Sequence, residues 1–261
     1  MKAVIKVGTS TLAYRTGRLN IRRVEKLCKT LSDLKNAGNE LILVSSGAIG
    51  MGAGKLSLPS RPTDMATKQA AAAVGQCELM YTYDRLFSEY HHTVAQILLT
   101  AQDVEQRVRR ENFQSTLKRL LELGALPIIN ENDTVATEEI AIGDNDTLSA
   151  AVAACTGADI LILLSDIDGL YDADPHKNPS AKMIPVVTEI SPAIEALAGS
   201  AGSELGTGGM ATKLNAARIA TAAGTDMIIA NGEDPAVLYD IFEGKAVGTR
   251  FIAAGKKSGA V

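Results

Sequence analysis

The sequence lacks the pairs and clusters that announce a metal centre. Its three cysteines, Cys28, Cys77 and Cys155, stand far apart, each within an apolar helical pattern, and read as buried free thiols of a reducing compartment. Histidine is equally scarce. His91 and His92 adjoin an expected helix end and His176 lies in a proline-containing loop, with no cysteine or carboxylate spaced to complete a metal site. No serine sits in a G-x-S-x-G elbow. Nowhere do about 18 apolar residues run together, so no membrane-spanning helix and no membrane partner are expected. The N-terminal apolar run is broken by Lys6 and Gly8, too early for a signal-peptide core. There is no basic stripe: Lys and Arg are scattered among Asp and Glu, the formal net charge is −4, and nucleic acid is not an expected partner. A cytoplasmic protein is expected.

What is present is an ordinary globular composition over 261 residues, 46% hydrophobic and 21% charged. Strand and helix patterns alternate almost throughout. Val4 to Val7 reads as a short strand, and Asn20 can cap a helix from Ile21 to Leu34 that stops at Gly38. Leu41 to Val44 is a continuous aliphatic run, as in a strand buried on both faces. A long helix is expected around Ala66 to Tyr90, a strand at Thr93 to Leu98, a helix near Asn112 to Leu123 and a strand at Leu126 to Ile129. The second half continues with a helix at Thr147 to Cys155 and the strongest strand, Ile160 to Leu164. A short strand at Ile184 to Val187 and a helix near Pro192 to Ala198 come next, then a helix at Ala211 to Ala223 and a strand at Met227 to Ala230. A short helix and strand finish the chain, and Val135 to Ile142 suits a small projecting hairpin. Such alternation predicts an α/β fold, a mostly parallel central sheet covered by helices on both faces. No linker divides it, so one α/β unit with two lobes is expected.

In open parallel sheets ligands bind at the carboxyl ends of the strands. The unusual residues gather there: Lys6 and Gly8 after the first strand, Ser45, Ser46 and Gly47 after the second, Asn130 to Asp133 after another, and Ser165 and Asp166 after the strongest. The loop Gly206 to Lys213, GTGGMATK, leaves room for backbone N–H groups to approach an anion and opens a helix whose dipole favours one. Lys213 would oppose that dipole, a cost an anionic ligand would offset. A flexible loop followed by a surface lysine is the plainer alternative. Lys6, inside a strand that should be buried, either snorkels from an edge or has an anionic partner, of which phosphate is the favoured one. Gly143-Asp144-Asn145-Asp146 precedes a helix that Asn145 or Asp146 could cap.

Two motifs fail on context. Gly206, Gly208 and Ala211 match G-x-G-x-x-A, but no strand immediately precedes them. Gly54-Lys55 resembles the end of a P-loop, but Leu56 replaces Ser or Thr and Ile49 stands at the first glycine.

Together, KVGTST (6–11), SSGAIGMG (45–52), KQAAAAVGQ (68–76), NENDTVAT (130–137), GDNDTLSA (143–150), LLSDIDGLYDADP (163–175) and GTGGMATK (206–213) resemble the amino-acid kinase family. Within it they resemble the members that phosphorylate the side-chain carboxylate of L-glutamate. The resemblance implies a three-layer α/β/α sandwich over residues 1–261. A substrate lobe would span about 1–155 and a nucleotide lobe about 156–255. It implies transfer of the γ-phosphoryl group of ATP, with Mg²⁺, to the γ-carboxylate of L-glutamate, the first step of proline biosynthesis. Carried onto matching positions, Lys6 and Lys213 would stabilise the transferring group and Asp146 would orient them. Ser46, Asp133 and Asn145 would hold glutamate, with Asn130 nearby. Lys6, Ser165, Asp166 and Thr207, Gly208, Gly209, Met210, Ala211, Thr212 and Lys213 would contact ATP. No metal-ligating residue is implied. Proline is expected as a feedback inhibitor and a homo-oligomer as the assembly. Many members continue into a C-terminal PUA domain, and this chain is expected to be a short form without it.

The chemistry agrees. A side-chain carboxylate with a pKa of about 4.3 is ionised at neutral pH and needs no general base. What the transfer needs is positioning and positive charge. A relative acting on another carboxylate, a carbamate or a nucleoside monophosphate stays open as an alternative, as does a non-catalytic sensor of nucleotide or amino acid.

Overall fold

A computed structural model of the chain describes residues 1–14, 16, 18–136, 144–175, 177–198 and 209–255. In chain order the first half runs β1 (Lys2–Val7), α1 (Thr9–Leu12), α2 (Ile21–Asn36), β2 (Glu40–Ser45), α3 (Ala48–Lys55), α4 (Met65–Ser88), β3 (Val94–Leu99), α5 (Ala101–Glu105), α6 (Arg107–Glu122) and β4 (Leu126–Glu131). There follow α7 (Asn145–Thr156), β5 (Ile160–Ser165), β6 (Val186–Val187), α8 (Pro192–Ala198), α9 (Met210–Ala222), β7 (Asp226–Asn231), α10 (Val237–Phe242) and β8 (Thr249–Phe251). The strands form one sheet in the order β3-β4-β2-β1-β5-β7-β8-β6, and every neighbouring pair is parallel except β7 with β8.

The alternation of side chains along β1 decides what each face becomes. Ala3, Ile5 and Val7 join a core with Leu27 of α2, Tyr83 and Phe87 of α4 and Leu238 of α10. Val4 points the other way, into a core with Leu117 of α6, Leu148 of α7 and Leu214 of α9. Two helical layers thus sandwich the sheet, as the alternating pattern implies. Lys6 is two residues beyond Val4, so the same period turns it toward α7 and α9. It lies on a central strand, paired with β2 on one side and β5 on the other.

Several expectations change at this level. The helix expected from Asn112 begins at Arg107, and α3 falls in a segment read only as a polar cluster and a failed P-loop. Asn130, Glu131, Ser45 and Ser165 belong to their strands rather than to the loops after them. Of the cysteines only Cys28 is buried; Cys77 is exposed on α4 and Cys155 is intermediate. An apolar neighbourhood in sequence does not fix which side of a helix a residue takes. The hairpin expected at 135–142 lies mostly outside the described residues, as does His176.

One packing contact places the site. Helices α3 and α4 meet backbone to backbone at Gly52 and Gly75. A Cβ on Gly75 would stand 1.7 Å from the Ala48 carbonyl oxygen, and one on Gly52 would stand 1.7 Å from that of Ala71. No side-chain adjustment relieves a clash with backbone. Gly75→Ala is therefore expected to destabilise the fold by the upper part of the ~1–3 kcal/mol range for overpacking. A lowered urea midpoint with unchanged slope would show it.

Candidate active site

The site lies at the carboxyl edge of the central strands. β1 delivers Lys6, and the chain then turns at Gly8, where a Cβ would come within 3.6 Å of Lys6 Nζ. β2 delivers Ser45 and Ser46, the latter held by its N–H donating to Val7 O at 3.1 Å. Gly47 follows with φ 107°, a left-handed conformation that glycine adopts without strain, and starts α3. β4 delivers Asn130 and Glu131, and β5 delivers Ser165.

The centre is Asp146, whose side chain is completely buried at the start of α7. Lys6 Nζ stands 2.7 Å from Oδ1, as an ion pair without the alignment of a hydrogen bond. Lys213 Nζ donates to Oδ2 at 3.1 Å, and Thr212 Oγ1 lies 3.1 Å from the same oxygen. Burial pushes the Asp146 carboxyl up, but the Lys6 and Lys213 ammonium groups and their contacts outweigh it and hold the group below the usual carboxylate range. Both lysines are themselves buried, with 9% and 4% of their surface exposed. Within the chain the anionic partner of Lys6 is a carboxylate, where the sequence favoured a phosphate. Three charged groups share one pocket with two positive charges against one negative, an arrangement suited to an anion.

The cap of α7 is Asp144, which accepts from Thr147 N at 2.7 Å. Neither Asn145 nor Asp146 caps, and both side chains are thereby left for other work. Asn145 Nδ2 donates to Ser46 Oγ at 2.8 Å and to Asn130 Oδ1 at 3.0 Å, and lies 3.4 Å from Ser45 O. Asn130 Nδ2 in turn donates to Gln76 Oε1 at 2.9 Å. The structure thus brings Ser46, Asn130 and Asn145 into one polar network, one residue along α7 from the Asp146 centre. Gln76 also belongs to it. Its only sequence signal was its place at the end of KQAAAAVGQ, since a glutamine on a helix carries no spacing rule. Asp133 stands in the turn after β4, half-buried, where burial pushes its carboxyl up to about 6.

Ser165 and Asp166 meet each other, Ser165 Oγ donating to Asp166 Oδ1 at 3.1 Å, with Asp166 exposed. Gly209 starts α9, Met210 is buried, Ala211 is exposed, and Thr212 and Lys213 turn inward to Asp146. Thr207 and Gly208 lie outside the described residues. The P-loop-like Lys55 forms an ion pair with Glu78 on the next helix.

Comparison with known proteins gives consistent findings. A model of the amino acid kinase family matches residues 1–231. A glutamate 5-kinase from Clostridium perfringens is 53% identical over 97% of this chain and 95% of its own length. One from Clostridium tetani is 54% identical over 96% and 94%. One from Moorella thermoacetica is 53% identical over 96% of this chain but only 66% of its own length. Among solved structures, a carbamate kinase from Giardia lamblia bound to AMP-PNP superposes with a TM-score of 0.68, at 17% identity, covering 97% of this chain and 98% of that one. The isopentenyl phosphate kinase of T. acidophilum gives 0.67, also at 17% identity, covering 96% and 100%. These structures share the three-layer fold.

Removing the carboxylate leaves two buried ammonium groups facing each other. Asp146→Ala is expected to lower stability at neutral pH by about 3–5 kcal/mol. Because the folded Asp146 carboxyl is depressed, its contribution is complete above the ordinary carboxylate value and fades as pH falls through the folded value. Denaturant midpoints of the two proteins should therefore converge in acid.

Proposed function

The chain belongs to the amino acid kinase family, and from that premise we propose that it transfers the γ-phosphoryl group of ATP to the γ-carboxylate of L-glutamate, giving L-glutamyl 5-phosphate. The observation that carries this reading is the adjacency of Asn145 and Asp146. One side chain enters a neutral polar network and the next gathers two lysines. Glutamate held by the first would present its distal carboxylate to a phosphoryl group held by the second.

Each residue then has a role. Lys6 and Lys213 offset the negative charge of the transferring phosphoryl group, where nucleophile and electrophile are both anionic. Asp146 fixes where the two ammonium groups stand. The γ-carboxylate attacks already ionised, so no general base takes part. Ser46, Asn130 and Asn145 orient glutamate, and the half-buried Asp133 pairs with its ammonium group. Ser165, Asp166 and the segment from Thr207 to Lys213 contact ATP, whose charge also relieves Lys213 of its unfavourable place in the first turn of α9.

Among the described residues no group of three or more His, Cys, Asp and Glu could hold a metal ion, and both Asp146 oxygens face lysines. Mg²⁺ would be held by the nucleotide phosphates and would supply further positive charge there. We further propose the division into a substrate lobe of about 1–155 and a nucleotide lobe of about 156–255. Proline competing for the glutamate pocket, a homo-oligomeric assembly and a cytoplasmic setting complete the proposal. No helix among the described residues is long and apolar enough to cross a membrane.

The test is an acceptor panel with ATP and Mg²⁺, trapping acyl phosphate with hydroxylamine. L-glutamate should give hydroxamate and ADP; a clear preference for aspartate or N-acetylglutamate would sink the assignment.

A second expectation follows from Asp133, which must be ionised to hold an ammonium group. At saturating ATP the pH dependence of kcat/KM for L-glutamate reports the enzyme form that has yet to bind glutamate. At saturating ATP, kcat/KM for L-glutamate should fall about tenfold per pH unit below about 6, the value to which burial raises this carboxyl. Asp133→Asn should flatten that limb.

A further inference from the structure

The run KQAAAAVGQ meets the site through its last residue. Gln76 is 7% exposed on α4. The preceding Gly75 lies so close to α3 that its missing Cβ would strike the Ala48 carbonyl oxygen, and Ala48 opens the helix two residues after Ser46. This close approach sets Gln76 beside the substrate-side loop rather than against the apolar core.

The amides around it have fixed directions. A backbone N–H can only donate, so the Asn130 atom that meets Glu131 N at 2.9 Å is the carbonyl oxygen Oδ1. Asn130 therefore turns its Nδ2 to Gln76 Oε1, and Asn145 turns its own Nδ2 to Asn130 Oδ1. Among the described residues two atoms of this relay have no partner: Gln76 Nε2, a donor, and Asn145 Oδ1, an acceptor, both buried. Leaving such groups unmet is costly, and native interiors seldom do it. A donor at one end and an acceptor at the other fit a ligand carrying an anion and a cation, as an amino acid does. Asn145 adjoins the Asp146 centre, whereas Gln76 is two links further away. The carboxylate that reaches Gln76 is thus the α-carboxylate, and the reacting one lies at the lysine end.

Building on the proposed glutamate acceptor, we propose that Gln76 contacts the substrate: its Nε2 amide donates a hydrogen bond to the α-carboxylate of bound glutamate and sets the preference for an ionised group there. Its partner Asn130 is a positioning residue in this scheme.

The experiment compares the full chain with Gln76→Met, which removes the donor, and Gln76→Glu, which keeps an acceptor for Asn130 but turns the donor into an anion. Thermal melting shows that each is folded. KM for L-glutamate should rise at least about tenfold in both, the loss expected for a hydrogen bond to a charged group, while KM for ATP stays within about twofold. The decisive measurement is the kcat/KM ratio of L-glutamate to its α-amide. The unmodified protein should favour glutamate, and the ratio should collapse by about tenfold or more in Gln76→Glu, whose carboxylate accepts from the amide N–H. An unchanged KM for glutamate in Gln76→Met would overturn the contact. So would a raised KM with an unchanged ratio, which would leave Gln76 only holding Asn130. If the variants do not fold, the unmodified protein still decides: equal use of glutamate and its α-amide refutes the inference. If it makes no hydroxamate from L-glutamate at all, the acceptor reading has failed, and this inference fails with it.

Discussion

The ion pair of Asp146 with Lys6 and Lys213 is the constraint around which the chain is arranged. It joins a strand near the N-terminus, a helix in the middle and a helix late in the sequence. Two buried lysines would be untenable without a carboxylate between them, and a buried carboxylate would be untenable without the lysines. The triad still carries one surplus positive charge, which an anionic ligand would balance. Burial, which ordinarily raises a carboxyl, is here outweighed by the two ammonium groups, which hold Asp146 below the usual carboxylate range.

The start of α7 then divides the labour among three consecutive residues. Asp144 caps the helix, Asn145 faces the polar network and Asp146 faces the lysines. Because a capped first turn is rigid, the distance between the network and the charged centre is set by one helical step. Phosphoryl transfer between two anions rewards that kind of fixed spacing more than any strong acid or base.

The alternation of strands and helices was legible from aliphatic runs and glycine stops, and Lys6 betrayed itself as a charge inside a strand. Asp146 as its partner was not readable from spacing, because 140 positions separate them; only the family motifs joined them. Composition does not single out the cap, since Asp144, Asn145 and Asp146 are equally good caps, and the one that caps stands one or two residues before those expected. Helix α3 escaped notice because a segment rich in glycine has little intrinsic helical preference. It is helical where it is packed against α4. Gln76 was unreadable for a different reason: its meaning lies in a hydrogen-bond direction fixed by the backbone of another strand.

The single reversal in the sheet has a consequence for the order in which the molecule is made. β8, residues Thr249–Phe251, lies between β7 and β6 and is paired with both, antiparallel to one and parallel to the other. β6 was synthesised some sixty residues earlier and finds no place in the sheet until β8 arrives to bridge it. The six strands from β3 through β7 in the sheet order complete their pairings with no residue beyond Asn231, so that margin depends on the last strand of the sheet in chain order. Phe251, wholly buried on arrival, is the late keystone that closes it.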